Sequence, residues 1–82
     1  MKFYTVYILH STRLGRYYIG YTGDTISDRI RRHNSNHKGY TGRANDWKLV
    51  YDHKFKEKQE AMEMEKTIKK RGAKRYLDTQ SE

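Results

Sequence analysis

A chain of 82 residues without a cysteine must stand on one small core, with neither a disulfide nor a thiolate-bound metal to staple it. Eighteen Lys and Arg against ten Asp and Glu give +8 at pH 7, a balance that favours a polyanionic partner, nucleic acid foremost, through phosphate neutralisation and counterion release. No apolar run approaches the roughly 18 residues that cross a bilayer, no hydrophobic leader opens the sequence, and neither basic cluster flanks a strongly apolar face, so the expectation is a soluble, cytoplasmic protein with no membrane partner.

Residues 3–9 (FYTVYIL) are β-branched and aromatic without a breaker and read as a strand. Residues 11–16 form a loop and residues 17–21 a second short strand, so an antiparallel hairpin is the natural pairing. Alternation puts Phe3, Thr5, Tyr7 and Leu9 on one face of the first strand and Tyr4, Val6 and Ile8 on the other; in the second, Tyr18 and Gly20 share a face opposite Tyr17, Ile19 and Tyr21. Gly20 removes the side chain next to Tyr18 and leaves room for a backbone or a phosphate. If Tyr7 and Tyr18 face the same way, their hydroxyls flank a shallow hollow suited to a phosphate.

A turn glycine, Gly23, precedes Thr25, and Asp28 three places on resembles the second half of a capping box, which starts a helix running to His33 or Asn36. On a wheel of about 100° per residue, Arg29 and His33 share one edge of the stripe marked by Ile26 and Ile30, while Arg31 and Arg32 point further towards solvent. A single arginine at such a rim is satisfied by snorkelling alone. Residues 34–46 make a polar loop, residues 47–53 (WKLVYDH) a third strand, and residues 57–71 a helix stopped by Gly72. A short last helix over 73–78 is followed by residues 79–82, expected to fray. The order is β-β-α-β-α-(α): one domain over 1–82, a small α/β (α+β) sandwich with a three-stranded antiparallel sheet flanked by helices.

One residue contradicts its own element. Ala61, Met64 and Ile68 form the apolar stripe of the long helix, and Glu65 fills an inward slot of that stripe. A carboxylate there is costly unless a cation, a metal or strong donors meet it. An arginine such as Arg29, in a partly buried ion pair, and a divalent ion are both open on the residues alone. Much of the basic charge lies in two clusters, residues 29–33 and residues 66–75, in which Arg32 and Lys69 are candidate substrate contacts. His33 and His37 have HxxxH spacing, but no Glu follows His33 and a helix break is expected between them, so zinc is disfavoured. Ser and Thr residues lack a His/Asp partnership, and no GxxxxGK[ST] or GxGxxG loop is present for nucleotide-triphosphate chemistry.

Together these residues resemble the GIY-YIG nuclease superfamily in its small single-domain form. Thr5-Val-Tyr7 stands at the first signature, Tyr18-Ile-Gly20 follows after a ten-residue gap, and Asp28-Arg-Ile-Arg-Arg-His33, with Asn34 after it, matches the family's arginine helix. Trp47-Lys-Leu-Val-Tyr51 resembles the third-strand motif of standalone members, and Glu60-Ala-Met-Glu-Met-Glu-Lys-Thr-Ile-Lys69 their metal-binding helix. The resemblance spans about residues 3–78. It implies cleavage of DNA phosphodiester bonds with one divalent ion, magnesium or manganese, held by Glu65 as sole protein ligand with waters and a substrate phosphate. It implies Tyr7 as general base or relay, Arg29 stabilising the phosphorane, Tyr18 positioning phosphate or water, and His33 as alternative base or phosphate donor. A phenol near pKa 10 needs a cationic neighbourhood to serve as a base at pH 7. The first signature carries Thr5 and Val6 in place of glycine and isoleucine, and residues 72–82 hold no asparagine where some members have one. Selection by DNA structure, branched or single-stranded, or by a partner protein is expected of so short a chain, with RNA left open; a non-catalytic binding module, or a subunit active only in a complex, is the alternative.

Overall fold

The computed structural model describes residues 2–35 and 44–80; His37 and the centre of the polar loop lie outside the described residues, as do 81 and 82. The elements are β1 (Tyr4–Ser11), β2 (Arg16–Thr22), α1 (Ile26–His33), β3 (Lys48–Phe55), α2 (Lys58–Arg71) and α3 (Ala73–Gln80). The sheet has the order β2-β1-β3 with both pairings antiparallel, as the hairpin reading requires. The central place of β1 explains why it reads as a continuous hydrophobic run and not as an alternation. Val6, Tyr7, Ile8 and Leu9 are all wholly buried, two against each face.

The two faces carry different layers. Val6 and Ile8 pack with Ala61, Ile68, Ala73 and Tyr76, so α2 and α3 cover one side. Tyr7 and Leu9 pack with Ala44, Trp47, Tyr18, Ile26 and Ile30, so α1 and the approach to β3 cover the other. Tyr17, Ile19 and Tyr21 join the first cluster and Tyr18 the second, the alternation expected along β2. A bulge between Ile8 and Leu9 leaves Val50 without a partner in the β1–β3 ladder and 45 % exposed.

The helix ends agree with the expectation at Asn34 and Gly72 and differ from it at the α1 cap and at the end of α3, for local reasons. Thr25 stands at the cap position of α1, but its side chain makes no capping bond, and Asp28 instead accepts a hydrogen bond from Arg31 at 2.8 Å. The aspartate is one methylene shorter than the glutamate of a capping box, and a cation one turn on is the easier partner. Asn34 closes α1, donating its backbone N–H to the Ile30 carbonyl at 3.0 Å. Gly72, at φ +96°, ends α2 as expected and lets α3 begin at once. Thr79, assigned to a frayed end, belongs to α3 and bonds its hydroxyl to the Arg75 carbonyl at 3.0 Å.

Candidate active site

The face of the sheet under α1 gathers most of the singled-out residues. Tyr7 lies opposite Gly20 in the β1–β2 ladder, and the reason for the glycine is then steric. A Cβ at position 20 would stand 2.8 Å from the Tyr7 hydroxyl oxygen and 3.0 Å from both Tyr7 Cζ and Tyr18 Cε2. The room expected for a backbone or a phosphate is thus taken by the Tyr7 ring. Tyr18 flanks it at 6.3 Å between ring centroids and packs against His33 at 4.7 Å.

The Tyr7 hydroxyl is the centre of a short chain of donors and acceptors. Arg29 Nε–H donates to it at 3.4 Å, and its partner on the other side is His33 Nε2 at 2.8 Å. Arginine can only donate, so the arrangement that uses every group has the Tyr7 O–H donating to an unprotonated Nε2. The wheel placed Arg29 and His33 on one edge of α1, and both reach the same oxygen. No other hydrogen bond engages the Arg29 guanidinium among the described residues, which leaves its terminal N–H groups available.

Burial dominates the electrostatics of this phenol. The Tyr7 pKa is raised above its usual value first by desolvation, which outweighs the lowering effect of the Arg29 hydrogen bond; the Glu65 carboxylate adds a smaller upward push. The cationic neighbourhood expected to make Tyr7 a base is present, and it loses to burial. Tyr7 is wholly buried, so the shallow hollow expected between two tyrosine hydroxyls is closed over this one. The Arg29 pKa is raised in turn, chiefly by the bond to Tyr7, so the guanidinium stays charged.

Glu65 stands in the other layer, on α2, with its side chain 19 % exposed. Arg29 is not its partner. The ion pair is with Lys69 at 3.5 Å, one turn along the same helix and 55 % exposed. Such an exposed lysine contributes less than about 1 kcal/mol and leaves the carboxylate exchangeable. Arg32 is exposed on α1, where its carbonyl accepts from Ser35, and it does not join the cluster. Among the described residues no three His, Cys, Asp or Glu gather as a metal cage.

Two supports were not legible beforehand. The Asn34 side chain bonds the Trp47 backbone in both directions, donating at 3.0 Å and accepting at 2.8 Å, which ties the end of α1 beside His33 to the start of β3. Ser11 donates to Asp46 at 2.6 Å, and the second Asp46 oxygen accepts from the Arg13 backbone at 2.9 Å. The Ser11 bond, then the Arg13 one, hold the Asp46 pKa below the usual carboxylate value. Both contacts span long sequence separations, and asparagine or aspartate in a polar loop gives no signal of a distant partner.

Comparison with known proteins matches residues 3–77 to the family model described as the GIY-YIG catalytic domain. No curated protein and no solved structure matches the chain.

Proposed function

The chain belongs to the GIY-YIG family, and from that premise we propose that it is an endonuclease that hydrolyses DNA phosphodiester bonds with one divalent ion. Domains of this family are generally nucleases acting on nucleic acid, typically with a divalent metal. The observation that carries the reading for this chain is the Arg29–Tyr7–His33 hydrogen-bonded chain beneath Gly20. A core tyrosine needs one partner for its hydroxyl; here it has two, one cationic and one able to take a proton.

The residues present fit a magnesium or manganese ion of the water-rich kind. A single partly buried carboxylate, Glu65, with only a weak and exposed lysine partner, is what such an ion uses when waters and a phosphate fill its remaining positions. Glu65 would hold it, and when bound it supplies Lewis-acid polarisation of a phosphoryl oxygen.

The protein's own groups supply the rest. Arg29 offers its terminal N–H groups to the non-bridging oxygens, where negative charge accumulates as water adds to phosphorus. Because the Tyr7 pKa is raised, the residue works as a neutral relay and not as a standing phenolate. It accepts the water proton at its oxygen while passing its own proton to His33 Nε2; as the new P–O bond forms, the bond from phosphorus to the departing sugar oxygen breaks, and that oxygen takes a proton from solvent. The Arg29 contact at 3.4 Å is long for a hydrogen bond, so a shift of the guanidinium onto phosphate uncovers the Tyr7 oxygen for water. Tyr18 walls the ring and orients the attacking group. Lys69, released from Glu65, contacts the DNA backbone, as does Arg32 from the outer face of α1.

The test is incubation of labelled duplex, single-stranded, flapped and branched DNA with magnesium, manganese or chelator. Metal-dependent cutting of at least one substrate is expected. Binding without any cut would instead identify a non-catalytic module or a subunit that needs a partner protein.

A further inference from the structure

An open cleft of about 660 Å³ lies between the first turn of α1 and the strands β1 and β3, on the same sheet face as Tyr7. This volume is in the range of small-ligand sites. The groups that line it are of four kinds. Phe3 is an aromatic ring left 39 % exposed. Lys2 and Lys54 bring two positive charges against one acid, Asp24, whose charge also acts on Arg29. Thr5, only 4 % exposed, lines the cleft, and its hydroxyl joins no side-chain hydrogen bond among the described residues. Thr25, Ile26 and Ser27 bring the start of α1 to the cleft, and the Thr25 side chain caps none of its N–H groups.

The lysines are placed, not merely present. Lys54 pairs with Thr5 across the ladder and so projects on the same face. Lys2 lies over the Tyr4 ring at 5.7 Å and across Gly23, where a Cβ would come within 2.9 Å of its Cε. Thr5 precedes Tyr7 by two residues, about 7 Å along the strand. The cleft thus lies on the same face as the proposed point of cutting and near it in the strand, and it combines an exposed aromatic ring with donors and cations for a phosphate.

We propose that this cleft binds one unpaired nucleotide of a single strand, its base stacked on Phe3 and its phosphate held by Lys2, Lys54 and the first turn of α1. The placement of the cut strand rests on the nuclease reading above; the binding itself does not. A paired base has its faces covered by its neighbours in the duplex, so Phe3 is useful only to an unstacked one. The cleft therefore selects single-stranded or branch-point substrates over continuous duplex.

Fluorescence anisotropy in chelator, where no strand is cut, tests this with a labelled oligo(dT) dodecamer, its oligo(U) counterpart and a duplex of equal length. Phe3→Ala is expected to weaken oligo(dT) binding by about 5- to 150-fold, the range for loss of one stacked base, and duplex binding by less than about twofold. Lys54→Ala is expected to weaken oligo(dT) binding and to reduce its salt slope by about one phosphate contact. A parallel loss on oligo(U) supports the same stacking site, and the ratio of the two affinities reads its sugar preference. Equal losses on single strand and duplex, or no loss with Phe3→Ala, would overturn the proposal. Should Phe3→Ala unfold, Phe3→Leu keeps the packing volume without the stacking face and must show the same selective loss. Metal-dependent cutting by the unaltered protein is scored separately, so a failed cleft and a failed nuclease reading give different results.

Discussion

At the residue scale the proposed reaction turns on the Tyr7 hydroxyl, and Gly20 is the residue that leaves room for its ring. With a Cβ 2.8 Å from that oxygen, Gly20→Ala forces the phenol away from Arg29 and His33 or pushes β2 aside. The expected result is a loss of about 1–3 kcal/mol in chemical denaturation, the usual range for overpacking, together with a large fall in any cleavage rate. Unchanged stability and activity would mean that the Tyr7 ring has a second position and that its contacts are incidental. Much of this was legible before the fold was known, because Tyr7, Arg29 and His33 could be assigned to faces by period alone. The sense of the Tyr7 pKa shift was not, since it depends on how completely α1 and Trp47 close over the ring, and no local pattern reports that.

The three strands and three helices each follow from local pattern, but the joints between them do not. α1 is only eight residues long and has no side-chain cap at its start, so its hold on the molecule comes from its apolar side and from Asn34. The two bonds from Asn34 to the Trp47 backbone fix the helix end that carries His33. Asn34→Ala is expected to destabilise the protein by about 1–3 kcal/mol in urea unfolding, since a partly buried donor and acceptor both lose their partner. Cleavage should fall by more than the folded fraction does, because His33 loses its support. An effect confined to stability would place His33 outside the reaction. Asp28 shows the opposite limit of pattern reading: three residues after a threonine it resembles a capping box, yet Arg31 one turn on is the partner it takes.

For the whole molecule, the sheet separates the tyrosine under α1 from the acidic residue on the far helix. β1 is buried on both faces, with α2 on the face opposite Tyr7, and the Glu65 carboxylate is only a minor cause of the raised Tyr7 pKa beside burial. The anomaly of Glu65 was readable as a carboxylate in an apolar stripe; its partner was not, because Arg29 and Lys69 both satisfy the same sequence-level requirement and only the packing of α1 onto Tyr7 separates them. In the proposed reaction Glu65 is kept for metal-dependent cleavage and not for stability. The most direct measurement compares Glu65→Ala with the unaltered protein, scoring cleavage of branched and single-stranded DNA with magnesium or manganese beside the thermal midpoint. Cleavage should be abolished while stability moves by less than about 1 kcal/mol, the scale of an ion pair whose lysine is exposed. A variant that unfolds, or one that still cuts in a metal-dependent way, would contradict the assignment.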